Sequence, residues 1–187
     1  MSLAKRIFVT SDQHFLHRNI IKYDKRPYKN EIDMSWDLIK RWNRVVKPKD
    51  KVYHLGDLFC GINNRWDLAM TILRSLNGNI TLIPGNHDYN KNIYKQEGIE
   101  VVGDIYLIVN DVLMSHYPRR IINTKNYKDG QRISNAKNKL KKVYKKYNCK
   151  HHFYGHSHNY PATKVNELNV ACTLHDYTPI RVFGLLD

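Results

Sequence analysis

Residues 82–88, Leu-Ile-Pro-Gly-Asn-His-Asp, end an apolar run in a turn that sets an amide, an imidazole and a carboxylate side by side. Pro84-Gly85 is turn chemistry, so Asn86 and His87 are expected on a loop held by a short buried strand over residues 79–83. Loops braced by rigid elements are where catalytic side chains concentrate. Asn, His and Asp are also ordinary turn residues, so the weight of this stretch depends on matching groups elsewhere. Four other places supply them: Asp12-x-His14 after Ile7-Phe8-Val9, Gly56-Asp57 after residues 51–55, Ser115-His116 after residues 112–114, and Gly155-His156-Ser157-His158 after residues 152–154. In an extended chain residues i and i+2 point the same way, so Asp12 with His14, and His156 with His158, suit a shared ion. Asp, Asn and His are hard or borderline ligands for divalent first-row metals. Two such ions held roughly 3.5–4 Å apart need a bridging group, and a carboxylate such as Asp57 can be one. His54, embedded in its strand, is expected instead to be a hydrogen-bonded core or face residue.

The elements that must carry these groups are legible in the hydrophobic pattern. Met34, Leu38, Ile39, Trp42, Val45 and Val46 recur at helical spacing after Asp33, a plausible N-cap, and stop before Pro48. Trp66, Ala69, Met70, Leu73 and Leu76 mark a second helix, closed by Asn77-Gly78. The order strand, helix, strand, helix, strand is that of parallel βαβ units, in whose sheets ligands gather beyond the carboxyl ends of the strands. Short strands joined by tight turns are expected over residues 101–114. A lysine-rich tract running to Asp129-Gly130 reads as a loop. Residues 133–147 form an amphipathic basic helix whose lysine face is read first as solvated surface rather than a nucleic-acid contact. Further strands follow at residues 168–172 and 179–186.

The 187 residues, 42% hydrophobic and 26% charged, are ordinary for one folded domain spanning 1–187. Cys60, Cys149 and Cys172 are scattered and form no Cys-x-x-Cys pair, which argues against a disulfide framework and for a reducing compartment. No apolar run approaches the about 18 residues a membrane span needs. A cytoplasmic protein with no membrane association is expected, and no protein partner is evident. The net charge of +14 should attract polyanions such as phosphates or nucleic acid.

Taken in order, Asp12-x-His14, Gly56-Asp57, Gly85-Asn86-His87-Asp88, His116 and Gly155-His156-x-His158 closely resemble the five blocks of the calcineurin-like metallophosphoesterase superfamily. The resemblance spans residues 12–158. It implies an α/β fold, a sandwich of two mixed β-sheets flanked by helices, with the metal site at the C-terminal strand ends. It also implies that Asp12, His14 and His158 bind one metal, that Asn86, His116 and His156 bind another, that Asp57 bridges them, and that His87 contacts phosphate and protonates the leaving group. The cofactors implied are two divalent ions, manganese first, with iron, zinc, nickel or cobalt also suited to such ligands. Departures refine the likeness. Protein serine/threonine phosphatases follow Gly-Asp with an Asp-Arg pair, and purple acid phosphatases place a ligand tyrosine three residues after the bridging Asp; this chain has Cys60 there. The Phe15-x-His17-x-Asn19-Ile20-Ile21 continuation is similar to small prokaryotic or phage-type phosphoesterases.

The activity so implied is hydrolysis of a phosphodiester or phosphomonoester by a hydroxide bridging the two metals, acting on a phosphate-ester substrate, a nucleotide or nucleic acid among them. His17, Asn19 and Arg26 are expected to contact substrate, with Arg18, Arg119 and Arg120 as further arginines to examine. A nuclease or nucleic-acid end-processing phosphatase is the alternative the charge favours, and a noncatalytic metal-binding scaffold is a second.

Overall fold

The computed structural model describes residues 6–62, 64–88, 91–120 and 130–182. Its first sheet is laid down by the expected βαβ units. Strands β1 (Ile7–Thr10), β2 (Lys51–His54) and β3 (Asn79–Leu82) are parallel neighbours in register, Thr10 beside His54 and His54 beside Leu82. The two-residue β4 (Glu100–Val101) adds to the β3 edge, and β9 (Ile180–Val182) runs antiparallel along β1. The second sheet has the order β5 (Tyr106–Val109), β6 (Val112–Ser115), β7 (His151–Tyr154), β8 (Glu167–Asn169), antiparallel in its first pair and parallel thereafter. Both sheets are therefore mixed, and helices cover their outer faces.

The period of two along the strands builds the layers. Phe8 and Val52 turn outward to a core shared with α2 (Glu31–Val45), α3 (Trp66–Ser75) and α4 (Lys91–Gln96), centred on Met34, Leu38, Trp42, Ile72 and Tyr94. Val9, on the other face of β1, joins Leu55, Ile83, Val112, Met114 and Phe153 between the sheets. Leu113 faces the opposite way from its neighbours and packs under α5 (Gly130–Lys146) against Ile133, Leu140 and Val143. Each buried side chain of this size contributes about 1.5–3 kcal/mol relative to exposure.

Two local readings change. The cap of α2 is Asn30, not Asp33: the Asn30 side chain accepts from the backbone of Ile32 and Asp33, and Asp33 sits in the first turn, donating its N–H and accepting from Asn30 Nδ2. The sequence placed the start later because Glu31 and Ile32 fall on the helix before the apolar stripe becomes regular. Helices α1 (Arg18–Tyr23) and α4, six residues each, had no periodic signal, since one and a half turns are too short to establish one. The lysine-rich tract at 121–129 and the last residues of the expected final strand, 183–186, lie outside the described residues. Among the described residues no helix is long and apolar enough to cross a membrane.

Candidate metal centre and its cavity

All five chemical stretches emerge at one edge of the sandwich, at the C-terminal ends of β1, β2, β3, β6 and β7. The edge is stitched by backbone bonds between loops: Asp12 N–H to Gly56 O (3.0 Å), His14 N–H to Asp57 O (3.1 Å) and Gly155 N–H to His116 O (3.0 Å). Close approach is bought with conformational strain. Asp12, His14, Asp57 and His156 all have left-handed backbone, with φ of 61°, 52°, 56° and 67°, a region costly for residues with a Cβ and often found at functional sites. Gly85 and Gly155 are required by contact: a Cβ on the first would collide with the Asp57 carboxylate, and one on the second with Ser11 and Asp12.

Around Asp57 the side chains form two groups. On one side His158 Nε2 lies 3.3 Å from Asp12 Oδ1 and 3.2 Å from His14 Nε2, which is 3.7 Å from Asp57 Oδ2. On the other, Asn86 Oδ1 lies 3.0 Å from His116 Nε2 and 3.1 Å from His156 Nδ1, and His116 Nε2 is 3.4 Å from Asp57 Oδ2. Asp12, Asp57, His14 and His116 are all buried. Asp12 with His14 and His158, and Asp12 with Asp57 and His116, each bring ligand atoms within 4.8 Å of one another.

The hydrogen bonds behind these groups test whether a cation fits. His116 presents Nδ1 to the Leu55 carbonyl at 2.8 Å, and His158 presents Nδ1 to the Asp24 carboxylate at 2.8 Å. With Nδ1–H donating, a neutral ring turns the Nε2 lone pair inward, toward carboxylate and amide oxygens that are themselves acceptors. Such a buried gathering of acceptors, with Asp12 Oδ1 having no hydrogen-bond donor, is unfavourable by itself and is relieved by a metal ion. Burial and neighbouring charges, taken together, act in the same sense. Burial would raise Asp12, but His158 holds its carboxyl well below the ordinary range. Burial would lower His158, yet the Asp12 and Asp24 carboxylates raise it to about 10. The atoms that would hold a proton there equally suit a divalent cation. Burial lowers His156 to about 3 and His14 well below its usual value, keeping both neutral and able to ligate. Burial, reinforced by Asp12 and Asp88 against the pull of His116, raises Asp57 to about 7.

A family model described as calcineurin-like phosphoesterase matches residues 5–160, over this entire edge. The chain belongs to the calcineurin-like phosphoesterase family. It is 36% identical over 184 residues to an uncharacterized protein of Methanocaldococcus jannaschii, covering 97% of this chain and 89% of that one. Among solved structures it is similar to a protein of unknown function from Aquifex aeolicus, at 29% identity and a TM-score of 0.76 over 95% of each chain. It also shares the fold of the Pseudomonas putida nuclease MPE, at 18% identity and a TM-score of 0.50 over 81% of this chain and 61% of that one.

In this phosphoesterase the centre floors a cavity of about 550 Å³ lined by His14, His17, Asp57, Asn86, His87, His156 and His158, together with Tyr23, Cys60, Tyr117 and Tyr160. His87 stands at its wall: its backbone N–H donates to Asp57 Oδ1 (2.8 Å), its Nε2 is 4.0 Å from Asp57 Oδ2, and its Nδ1 lies 3.2 Å from Cys60 Sγ. Burial lifts the Cys60 thiol to about 11, so it stays protonated and can donate to Nδ1, holding the ring with Nε2 toward the cleft. His17 reaches the cavity; burial and then His87 lower it to about 4.

The other expected substrate contacts are placed differently. Arg26 does not line the cavity. Its guanidinium is buried, donating to the Asp12 and Gln13 carbonyls at 2.9 and 2.7 Å and to Asp24 at 3.0 Å. A charge so enclosed cannot meet substrate; it braces the β1 loop from below. Asn19 is exposed on α1, outside the cavity lining. Arg119 is buried on Glu167 at 2.9 Å, and Arg120 reaches the same carboxylate. His54 is a buried core residue with Nε2 on Gln13 Oε1 at 2.5 Å. Sequence reasoning missed two positioning acids. Asp24 orients His158, and Asp88 accepts from the N–H groups of Asp57 (2.7 Å), Leu58 (3.2 Å) and Gly85 (2.9 Å) and from Tyr94 Oη (2.6 Å). Asp88 was visible in the motif but had no task; nothing local distinguished Asp24 from a surface acid.

Proposed function

We propose that this calcineurin-like phosphoesterase is a dinuclear metal-dependent phosphodiesterase, with Asp12, His14 and His158 holding one divalent ion, Asn86, His116 and His156 the other, and Asp57 shared between them. The observation that carries the reading is the convergence of two sets of buried and half-buried ligand atoms on the Asp57 carboxylate. Bound there, two divalent ions, manganese first among them, supply activated water and neutralise charge on the phosphoryl oxygens.

The chain's own residues then have separable tasks. Asp24 and the Leu55 carbonyl fix the tautomers of His158 and His116. Arg26 and Asp88 hold the loops that carry Asp12 and Asp57. His87 delivers a proton to the departing oxygen from Nε2, and the Cys60 sulfur keeps that nitrogen turned toward the cleft. Burial lowers His87, which makes its imidazolium a readier acid once phosphate charge draws a proton onto it. His17 lines the same wall, which supports a contact with a substrate oxygen. A scaffold without activity would have no use for a cavity-facing His87 supported in this way.

The test is turnover of bis(p-nitrophenyl) phosphate by protein stripped with chelator and reloaded with manganese, iron, zinc, nickel or cobalt. We expect no turnover in the stripped protein, recovery at two equivalents of metal, and slower hydrolysis of the monoester p-nitrophenyl phosphate. Full activity in the stripped protein, or saturation at one equivalent, would overturn the dinuclear assignment.

A further inference from the structure

We propose that the rim of this cavity is a platform for single-stranded nucleic acid, on which bases stack against Tyr23 and Tyr160 while the cations of α1 follow the phosphates. The inference rests on the phosphodiester reading above and names its substrate class.

Six large apolar side chains stand exposed among the described residues, and two of them, Tyr23 and Tyr160, line the cavity over the candidate metal centre, at 71% and 73% exposure. One exposed tyrosine needs no explanation. Two on adjoining segments at a cavity mouth are a different matter, and their mounts are rigid. Tyr23 ends α1 and precedes Asp24, whose carboxylate accepts from His158 Nδ1 at 2.8 Å. Tyr160 follows His158 by two residues; its N–H donates to Ser157 O (2.8 Å) and its carbonyl accepts from Asn169 Nδ2 (2.8 Å). The bond from His158 to Asp24 therefore ties together the two segments that carry the rings. Tyr23 also meets His17 in a T-shaped contact, with ring centroids 6.4 Å apart at 71°, and stays 71% exposed. Fixed backbone beneath an exposed aromatic ring is what base stacking needs, because the loss of freedom on binding is then small.

Charge supplies the second half of the argument. Between His17 and Lys29 the basic residues Arg18, Lys22, Lys25 and Lys29 are exposed, and the one acid, Asp24, is committed to His158 and Arg26. Cations interleaved with aromatics beside a phosphoryl-binding centre suit a chain of phosphates bearing planar bases. A duplex covers its base faces and would not use the rings, whereas a single strand offers them. A small phosphomonoester seated on the metal ligands would not extend to this rim.

The test uses metal-loaded protein and two oligonucleotides of equal length, one with ordinary bases and 2-aminopurine at the centre, one abasic throughout. We expect quenching of the 2-aminopurine on binding, and tighter binding of the base-bearing strand. Tyr23→Ala and Tyr160→Ala should each weaken that strand by about 5- to 150-fold, the range for loss of a base–aromatic stack. Tyr23→Phe and Tyr160→Phe should bind within about twofold of wild type, and the abasic strand should ignore all four changes. Metal content and circular dichroism of each variant establish that it is folded and loaded. Equal affinity for the two strands, or base-bearing binding unaffected by both alanine variants, overturns the platform. If wild-type protein hydrolyses bis(p-nitrophenyl) phosphate while failing those comparisons, the platform alone is lost. If binding depends on the tyrosines but no diester is cleaved, the platform stands and the phosphodiesterase reading falls.

Discussion

In the dinuclear reading proposed above, the two sides of the cleft carry similar ligand types but are braced by different physics. Behind Asp12, His14 and His158 lies a charged network: Asp24 against His158, and Arg26 against Asp24 and the β1 loop carbonyls. Behind Asn86, His116 and His156 the supports are neutral: the Leu55 carbonyl on His116, and the Tyr117 ring edge-on to both His116 and His156, with centroids 5.1 and 5.0 Å apart. The first side has its own carboxylate, Asp12, with Asp24 behind it; the second has neutral ligands and only the shared Asp57. A divalent ion should therefore bind more tightly on the first side, since carboxylate charge in a buried site is weakly screened. The ranking comes from the ligands themselves, the Asp12 carboxylate against the Asn86 amide, because Arg26 offsets the charge of Asp24 behind.

The largest effect should come from removing what the sides share. Asp57→Ala is expected to release both ions and bring turnover to background, measured by metal content and diester hydrolysis; retention of one tightly held ion would break the bridging role. His87→Ala should leave both ions in place and lower kcat by ~10²–10⁴, the usual worth of a general acid. That loss should be greatest for poor leaving groups and least for p-nitrophenolate. Asp24→Asn separates the halves most sharply. It should weaken the first ion by about 10- to 100-fold while leaving the second unchanged, so that chelator titrations, in two phases for wild type, collapse toward one. A matching fall in the second ion's affinity would show that the two sides are not independently braced.

The smallest effect concerns two histidines buried in the strands below the cleft, His54 against Gln13 and His152 against Ser115. Burial lowers His54 to about 4 and His152 to about 3, from an ordinary value of 6.5. Above the unfolded value neither state binds a proton and nothing is lost. As pH falls below 6.5 the unfolded chain takes up protons that the fold refuses, and stability declines until the folded values are reached. For each histidine the slope is about 1.4 kcal/mol per pH unit at most. His152→Gln, retaining a partner for Ser115 Oγ, should flatten the fall in apoprotein Tm between pH 6 and pH 4; an unchanged slope would remove His152 as a contributor.

Much of this was written in local pattern. The strands over 7–10, 51–54, 79–82 and 151–154 follow from short apolar runs closed by turn residues, and α2, α3 and α5 from stripes at helical spacing. The family was legible because its motifs sit at strand ends in fixed order. Asp24 was not legible, since an acid between Tyr23 and Lys25 looks like any solvated turn residue until His158, far along the chain, lands on it. Arg26 misled for the same reason: burial, not residue type, decides whether a guanidinium meets substrate or backbone.

Residue identity and spacing thus determined which groups can ligate metal and at which strand ends they stand, because hydrophobic period and turn chemistry act over a few neighbours. Only the folded chain decided which of them face each other, which nitrogen of each ring points inward and which charges lie behind. Those are distances between residues remote in sequence, set by how two sheets pack, and no local stretch encodes them.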